Sequence, residues 1–446
     1  MQGATEALAR FAATTKLEDV PPAAVQAAKL AILDTLAVTL VGARDGACQL
    51  LAQWVKDQGA GAKATVIGQG FRSSPLLAAL ANGHAAHALD LDGGMHLSTQ
   101  TLPAALAQGE ASGLSGPTLL LAYLVGRETG HRLDAAFDAG RNEGKGPTYR
   151  GWHHTGTNGS LAAAASAGVV LGLDTRQMQM AFGIAAQGAS GLRANMGTMA
   201  KALVAGNAAR NGVMAASLAQ QGFLAEEAIL ETREGLANAF CLEGECDWTV
   251  LTRDLGTHFE LERGETTKEY ACCTPAHRPV EAVLTIAKEH GLRAEDVDAI
   301  ETDPHSFSLR RERPADGQGG QYSLRYCLAV ALLDGEVGWR QMTDERVRAA
   351  DVQQLMDRLR IVPLPEAPHL GRGGKERVTI ILRDGRRLTT EIGQTRRLST
   401  REEIEPKFFD CAVPVVGREK AERLRDLVLD LERVPSIGPL MTTVQG

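Results

Sequence analysis

The chain has 446 residues, of which 44% are hydrophobic and 23% charged, a balance typical of folded globular proteins and not of disordered ones. Its formal net charge is −7, and no run of Lys or Arg is long enough to follow a phosphate backbone, which argues against nucleic acid as a partner. A chain of this length predicts two or three domains. Aromatic residues make up only 4%, whereas glycines number 48, which favours closely packed helices.

Targeting signals and cysteine spacing indicate the compartment. Residues 1–21 contain no basic segment followed by an apolar core, so no signal peptide is predicted. The longest apolar run, residues 119–125, is too short to span a bilayer. The seven cysteines are irregularly spaced without a Cys-x-x-Cys pair, which predicts free thiols and no iron–sulfur cluster. We therefore expect a cytoplasmic protein that contacts neither membrane nor nucleic acid.

Helices dominate the first half of the chain. Pro21 and Pro22 open a helix in which apolar residues recur at helical spacing through residue 40. Length, composition and Gly or Pro punctuation predict further helices at 76–89, 119–129, 159–171, 176–189, 202–221 and 225–240. No strand pattern of period two occurs between residues 21 and 240, so this part is predicted to be a helix-packed domain.

The pattern changes after about residue 268. Residues 297–302 alternate as in a strand, residues 323–333 favour a helix, and strands at 378–382 and 388–392 flank the turn Asp384-Gly385. A glycine-rich connection at 371–374 precedes this hairpin, and an amphipathic helix follows at 418–433. The predicted fold class is mainly α, with a large all-helical domain and a smaller α/β (α+β) lid domain. The helical domain is expected to comprise residues 1–267 and 399–446, and the lid residues 268–398.

A segment rich in His and Asp follows the helix predicted at 76–89. His84, His87 and Asp90 are three residues apart, on one face if the helix continues, and Asp92 and His96 follow in a Gly-containing turn. This set could bind a metal ion, or it could be a helix end whose imidazoles cap backbone groups or bond each other. Because no second group of closely spaced ligands supports a metal site, we predict none.

A polar loop at 149–159 leads into an Ala-rich helix. The free amides and the dipole of such a helix N-terminus favour an anion, which His153 or His154 would adjoin. The alternative is a loop histidine bonded to the backbone, and the sequence leaves both open.

Isolated polar residues mark two other helices. Lys201 precedes the Ala/Gly-rich stretch 202–209, although a lysine in such a helix often lies on a solvated face. Tyr326 carries the hydroxyl of an otherwise apolar helix, where a core tyrosine with a bonded hydroxyl is the ordinary alternative.

Lys268 and His277 flank an adjacent pair of cysteines at the predicted domain junction. Neighbouring thiols on one strand point apart, so Cys272 and Cys273 are expected to be buried thiols and not a metal or redox pair. No dinucleotide, phosphate-loop or nucleophile-elbow motif is complete in the chain, and no cofactor is predicted.

Together these segments resemble the MmgE/PrpD family, which includes 2-methylcitrate dehydratases, cis-aconitate decarboxylases and iminodisuccinate epimerases. The similar stretches occur in family order over nearly the whole chain, at residues 79–92, 150–174, 196–223, 268–283 and 322–335. The resemblance implies a homodimer in which each chain has a large helical domain and a smaller α/β lid, with the active site in the cleft between them. The residues it implies for that site are Asp90, His153, Lys201, Lys268, Cys273 or His277, and Tyr326.

The sequence departs from the family after Asp92. The family continues with a second Asp and a loop containing His-Pro-Ser, whereas this chain has Gly93-Gly94 and a shorter loop up to Ser98. His96 lies as far before Pro103 as the family histidine lies before its proline, and we align those two. The shorter loop is where substrate choice is expected to differ.

The chemistry of the family passes through a carbanion or enolate-like state, which needs a base at the carbon, cations at the carboxylates and a proton donor. Lys201, Lys268 and either Arg193 or Arg325 would bind carboxylates. His96 or His153 would move the carbon-bound proton, with Tyr326 or Asp90 as partner.

The predicted function is that of a cofactor-independent lyase acting on a small di- or tricarboxylate, with dehydration ahead of decarboxylation. The first alternative is an epimerase or isomerase of a dicarboxylate such as iminodisuccinate. The second is a non-catalytic paralogue that binds a small acid, which the altered loop would suggest.

Overall fold

A computed structural model describes residues 3–139, 145–302, 309, 311–362 and 375–446. The protein is mainly α: 62% of it is helical, and the described residues form 19 α-helices and small sheets. The glycine-rich connection predicted at 371–374 lies outside these residues.

Nine α-helices lie in the described part of the first 220 residues. They are α1 (Ala4–Thr14), α2 (Pro22–Gly42), α3 (Gly46–Asp57), α4 (Pro75–His87), α5 (Ser98–Ser112), α6 (Gly116–Phe137), α7 (His154–Leu171), α8 (Thr175–Gln187) and α9 (Ala200–Gln220). The predictions for α2, α4, α6, α7, α8 and α9 are confirmed within a few residues, except that α6 extends well beyond its predicted ends. The predicted helix at 225–240 is wrong, because the chain turns there and forms only α10 (Leu236–Phe240) before α11 (Trp248–Thr252).

A short hairpin also contradicts the expectation that this half contains no strand. Strands β1 (Ala64–Val66) and β2 (Phe71–Ser73) pair antiparallel over three residues each. Strands of this length are too short to display a period of two in the sequence.

Strands and helices alternate between residues 267 and 398. The strands are β3 (Thr267–Lys268), β4 (Val297–Glu301), β5 (Arg360–Val362), β6 (Glu376–Leu382), β7 (Arg387–Ile392) and β8 (Arg397–Leu398). The helices are α12 (His277–His290), α13 (Gly317–Gly320), α14 (Leu324–Asp334), α15 (Asp344–Arg348) and α16 (Ala350–Arg358). Four strands form a sheet in the order β5-β4-β6-β7, with β4 and β5 parallel and the other pairs antiparallel. The predicted β6–β7 hairpin and the helix α14 are confirmed.

The chain ends in α17 (Arg401–Val416), α18 (Arg418–Leu429) and α19 (Gly438–Thr443). Helices α17 and α18 both pack against α2, so the C-terminal helices return to the N-terminal half as expected. The division into a helical domain and a lid remains a prediction. A two-stranded ribbon of β3 and β8 lies where that boundary was predicted.

Helix α2 is long and apolar enough by composition to cross a membrane. However, 89% of its most apolar stretch is buried inside the fold, where α4, α6 and α17 pack around it. Its apolarity is therefore accounted for by its position in the protein core.

Small residues let α4 and α9 approach each other closely. A Cβ atom on Gly206 would lie 2.3 Å from the backbone oxygen of Leu80, so only glycine fits there. This contact brings the C-terminal end of α4 beside the N-terminal end of α9. Asp90 comes three residues after the end of α4, and Lys201 is the second residue of α9.

Candidate active site

Asp90 is the centre of a buried charge cluster. Its carboxylate lies 2.6 Å from Nζ of Lys201 on α9 and 3.0 Å from Nζ of Lys268 on β3. Lys268 also donates to the backbone oxygen of Asp90, at 2.7 Å. All three side chains are almost completely buried. Although burial alone would raise the pKa of Asp90, the two ammonium groups hold it well below its usual range.

The backbone around Asp90 is strained. Asp90, Met95 and His96 have φ values of 49°, 58° and 62°, in the left-handed region that non-glycine residues rarely adopt. Three such residues in one short loop mark it as held by its surroundings, a feature that clusters at functional sites.

A second carboxylate orients two imidazoles. Asp92 contacts Nδ1 of His87 at 3.1 Å and Nδ1 of His96 at 2.6 Å. The contacts with the rings of His96 and His87 hold the pKa of Asp92 well below its usual range, against the effect of burial. Burial and the charge of Lys201 lower the pKa of His87 to about 3, so its ring is neutral at neutral pH. Asp92 therefore fixes the orientation of both rings.

The polar loop before α7 adds two further imidazoles. The ring of His153 lies 6.2 Å from His87 and 5.5 Å from His154, and His154 lies 6.4 Å from His96. Burial and the neighbouring His154 keep the pKa of His153 well below its usual range. Four histidines thus form one contiguous group beside Asp90, which we call the imidazole cluster: His87, His96, His153 and His154.

Several buried nitrogens near this cluster have no hydrogen-bond partner within the part of the chain that the structure describes. They are Nε2 of His87, Nδ1 of His153 and both ring nitrogens of His84. Burial, with the charge of Lys201, lowers the pKa of His84 to about 4. Because buried polar atoms normally have partners, these nitrogens are positions where a polar ligand can bond.

Tyr322 and Cys273 also lie close enough to Asp90 to feel its charge. These two side chains pack together with Met196, and the Tyr322 ring lies 5.8 Å from the ammonium group of Lys201. Burial and the charge of Asp90 raise the pKa of Tyr322 well above its usual value and that of Cys273 to about 12. Both groups are therefore protonated at neutral pH. The buried Arg193 is close enough to act electrostatically on Tyr322.

His277 lies behind Lys268. Its Nε2 is 3.0 Å from the backbone oxygen of Cys272, which also accepts a bond from Lys268 at 3.4 Å. Burial and the charge of Lys268 keep its pKa well below its usual range. His277 thus helps to hold the segment that carries Lys268 and Cys273.

Two of the predicted site residues face elsewhere. The hydroxyl of Tyr326 donates to the backbone oxygen of Gln341. The guanidinium of Arg325 bonds to the backbone oxygens of Met356 and Leu359. The structure does not bring Tyr326 or Arg325 to the cluster, because both lie on α14, whereas Tyr322 precedes this helix and reaches Lys201.

The sequence motif around Tyr322 contains two tyrosines, and only their spatial placement distinguishes them. The sequence predicts for the set that includes His87 and Asp92 either a metal site or a helix end with capping or mutually bonded imidazoles, and assigns neither residue a catalytic role. Their close spacing to His84 and Asp90 is the signal that could have marked them as part of the site.

Two imidazoles of the cluster and the two neighbouring carboxylates have the spacing of a metal site, with ligand atoms of His87, Asp90, Asp92 and His96 all within 4.8 Å of one another. Lys201 Nζ lies 2.6 Å from Asp90 and 3.4 Å from Nδ1 of His87. This ammonium group and Lys268 neutralise the carboxylate that a cation would need. That the site works without metal stays a prediction.

Two buried ion pairs brace the loop that carries the site. Lys407 on α17 pairs with Asp34 on α2 at 2.6 Å, and it donates to the backbone oxygen of Leu91 at 2.9 Å and to Thr267 at 2.8 Å. The Lys407 ammonium group thus connects Leu91, which follows Asp90, with Thr267, which precedes Lys268.

The second brace lies at the other end of the loop. Arg127 pairs with Glu265 at 2.6 Å and donates to Ser98 and Tyr123, each at 3.1 Å. A Cβ atom on Gly93 would lie 2.6 Å from Oε1 of Glu265, so the glycine lets the loop lie directly on this pair. Gly93, one of the two glycines at which this chain departs from the family, therefore packs directly against the Arg127–Glu265 ion pair.

On this mainly helical fold, the neutral rings of His87 and His153, two lysine ammonium groups and a protonated tyrosine lie around two carboxylates and form a candidate enzyme active site. The chain belongs to the MmgE/PrpD family: residues 6–249 match the MmgE/PrpD N-terminal domain and residues 270–433 the MmgE/PrpD C-terminal domain.

Its curated relatives include three cis-aconitate decarboxylases. It is 29% identical to the protein of Aspergillus terreus (98% of this chain and 95% of that one) and 26% identical to those of Homo sapiens (100% and 95%) and Mus musculus (100% and 94%).

Proposed function

We propose that the protein is a lyase that acts on a small di- or tricarboxylate, and that decarboxylation of a cis-aconitate-like tricarboxylate is its reaction. The observation that carries this proposal is the pair of buried ammonium groups, Lys201 and Lys268, on one carboxylate beside neutral imidazoles. The sequence alone favours dehydration over decarboxylation as the reaction. The names of the relatives support decarboxylation instead.

Decarboxylation breaks the bond between a carboxylate carbon and the substrate and leaves an electron pair on the substrate, which a proton must then quench. Lys201, Lys268 and Arg193 would hold the remaining carboxylates and stabilise the developing charge. The proton would come from a group that is protonated at neutral pH, such as the Tyr322 hydroxyl, and would pass to carbon through His96 or His153. Neither step requires a metal ion or an organic cofactor.

The proposal is tested by incubating the purified protein with cis-aconitate, citrate, 2-methylcitrate and iminodisuccinate. Proton NMR in deuterium oxide and released carbon dioxide are the measurements. Carbon dioxide with one deuterium in the product supports decarboxylation, and an alkene without carbon dioxide supports dehydration. Deuterium entering unchanged substrate, without a new alkene, would instead identify an epimerase, and no change in any arm would favour a non-catalytic acid-binding protein.

Two accompanying properties are proposed with this function. Dialysis against a chelator should leave turnover unchanged, since the lysines supply the positive charge. The family resemblance suggests a homodimer, which light scattering after gel filtration would measure directly.

A further inference from the structure

Arg397 lies on the ribbon that carries Lys268. Strands β3 and β8 pair antiparallel, and Arg397 is the direct partner of Lys268 in the register. Directly opposed residues in such a pair project from the same face. The side chain of Arg397 therefore lies on the face from which Lys268 reaches Asp90.

This guanidinium has no partner of its own. It makes no hydrogen bond and no ion pair within 4.0 Å with any residue that the structure describes. The neighbouring Arg396 points to the other face, where it contacts Glu269 at 3.2 Å and Glu403 at 4.0 Å. Of these two adjacent arginines, the exposed Arg396 has carboxylate partners, whereas Arg397, on the face of Lys268, has none among the described residues.

The surroundings of Arg397 favour the binding of an anion. It is partly buried, and burial lowers its pKa, which the negative charges of Asp90 and Asp92 oppose. It also acts electrostatically on the fully buried His277. Like charges directly opposite each other on two strands destabilise the pair. Asp90 lies within 3.0 Å of the ammonium groups of both Lys201 and Lys268, whereas no carboxylate of the described residues lies within 4.0 Å of the Arg397 guanidinium.

We propose that Arg397 binds a carboxylate of the substrate, in addition to those that Lys201 and Lys268 hold, and so sets a preference for tricarboxylates over dicarboxylates. The proposal rests on the proposed function for the nature of the substrate. A planar guanidinium suits this task because it can bond both oxygens of one carboxylate at once.

The test compares Arg397→Gln with the matched control Arg396→Gln. Titration calorimetry with propane-1,2,3-tricarboxylate and with glutarate measures binding without any turnover. A charge-assisted bond contributes about 1.5–3 kcal/mol, so Arg397→Gln should weaken binding of the tricarboxylate by about 10- to 100-fold. Glutarate binding should change by less than about threefold. Arg397→Lys should recover part of the loss, and Arg396→Gln should bind both acids as the parent protein does.

Turnover gives a second readout. On the substrate found for the parent enzyme, Arg397→Gln should raise KM by a similar factor while kcat changes little, because the contact is present in both ground and transition states. Equal loss of tricarboxylate and glutarate binding, or equal loss in Arg396→Gln, would overturn the role of Arg397. Tricarboxylate binding that depends on Arg397, in a protein that turns over no polycarboxylate, would overturn only the proposed function.

Discussion

At the scale of single residues, the two lysines on Asp90 make the sharpest prediction. Replacing Lys201 or Lys268 by Met keeps the length of the side chain but removes the charge that would hold a substrate carboxylate. Removing one group that stabilises developing charge typically costs about 10²- to 10³-fold in kcat, and we expect kcat/KM to fall at least that much. Steady-state kinetics with the exposed Lys63→Met as control measures this, and a loss below tenfold in both variants would contradict the proposed site.

Two tyrosine substitutions test which hydroxyl acts in the reaction: that of Tyr322, which the structure indicates, or that of Tyr326, which the sequence predicts. Tyr322→Phe removes the hydroxyl of a ring that lies 5.8 Å from the Lys201 ammonium group, and should lower kcat by about 10²-fold or more if that hydroxyl transfers a proton. Tyr326→Phe removes a hydroxyl bonded to the Gln341 backbone and should leave kcat within about threefold. The reverse ranking of the two kcat values would show that the sequence-based choice of Tyr326 was the better one.

This difference shows what the sequence could identify at the residue scale. Lys201 is followed by small apolar residues, whereas Lys268 lies between Thr267 and Glu269, and the family resemblance identified both lysines as site residues. The choice between Tyr322 and Tyr326 depends on which one precedes α14 and which one lies within it. A shift of four residues along a helix nearly restores the same face, so periodicity could not separate them.

At the scale of elements, the Asp34–Lys407 pair ties α2, α17 and the loop after Asp90 together. Lys407→Met leaves the carboxylate of Asp34 buried without its partner, which typically costs about 3–5 kcal/mol in the free energy of unfolding. The double variant Asp34→Asn/Lys407→Met removes both charges and should lose less. Urea denaturation followed by circular dichroism measures both, and a double variant less stable than Lys407→Met would contradict this account.

Helices and hairpins of ordinary length could be predicted because their periodicity is local. Helices α2 and α9 and the β6–β7 hairpin were predicted near their observed bounds. The three-residue strands and the turns at 225–235 could not be predicted from these patterns. The conformation of the loop from Asp90 to Ser98 depends on Lys407 and Arg127, which are distant in sequence, so no local pattern encodes it.

At the scale of the whole molecule, several buried histidines make stability depend on pH. Burial keeps the pKa values of His84, His87, His153 and His277 below their usual value. Each is neutral in the folded protein at pH values where the unfolded chain binds a proton. Stability therefore falls as the pH falls through that window. Asp34 and Glu265 act in the opposite direction because burial raises their pKa values, whereas Asp90 and Asp92, whose pKa values lie well below their usual range, add to the loss of stability at the acid end.

Replacing His84 tests the contribution of a single histidine to the pH dependence of stability. Its pKa of about 4 in the folded protein compares with 6.5 for a free histidine, so its contribution is complete above pH 6.5 and is lost progressively towards pH 4. A difference of this size corresponds to about 3 kcal/mol. In His84→Asn the decrease in unfolding free energy between pH 6.5 and pH 4 should be smaller than in the parent by roughly that amount. Urea titrations at several pH values across this range measure the two slopes. The comparison concerns only their difference, because the substitution also changes packing equally at every pH. Parallel pH profiles for variant and parent would mean that His84 accepts a proton in the folded protein as readily as in the unfolded chain.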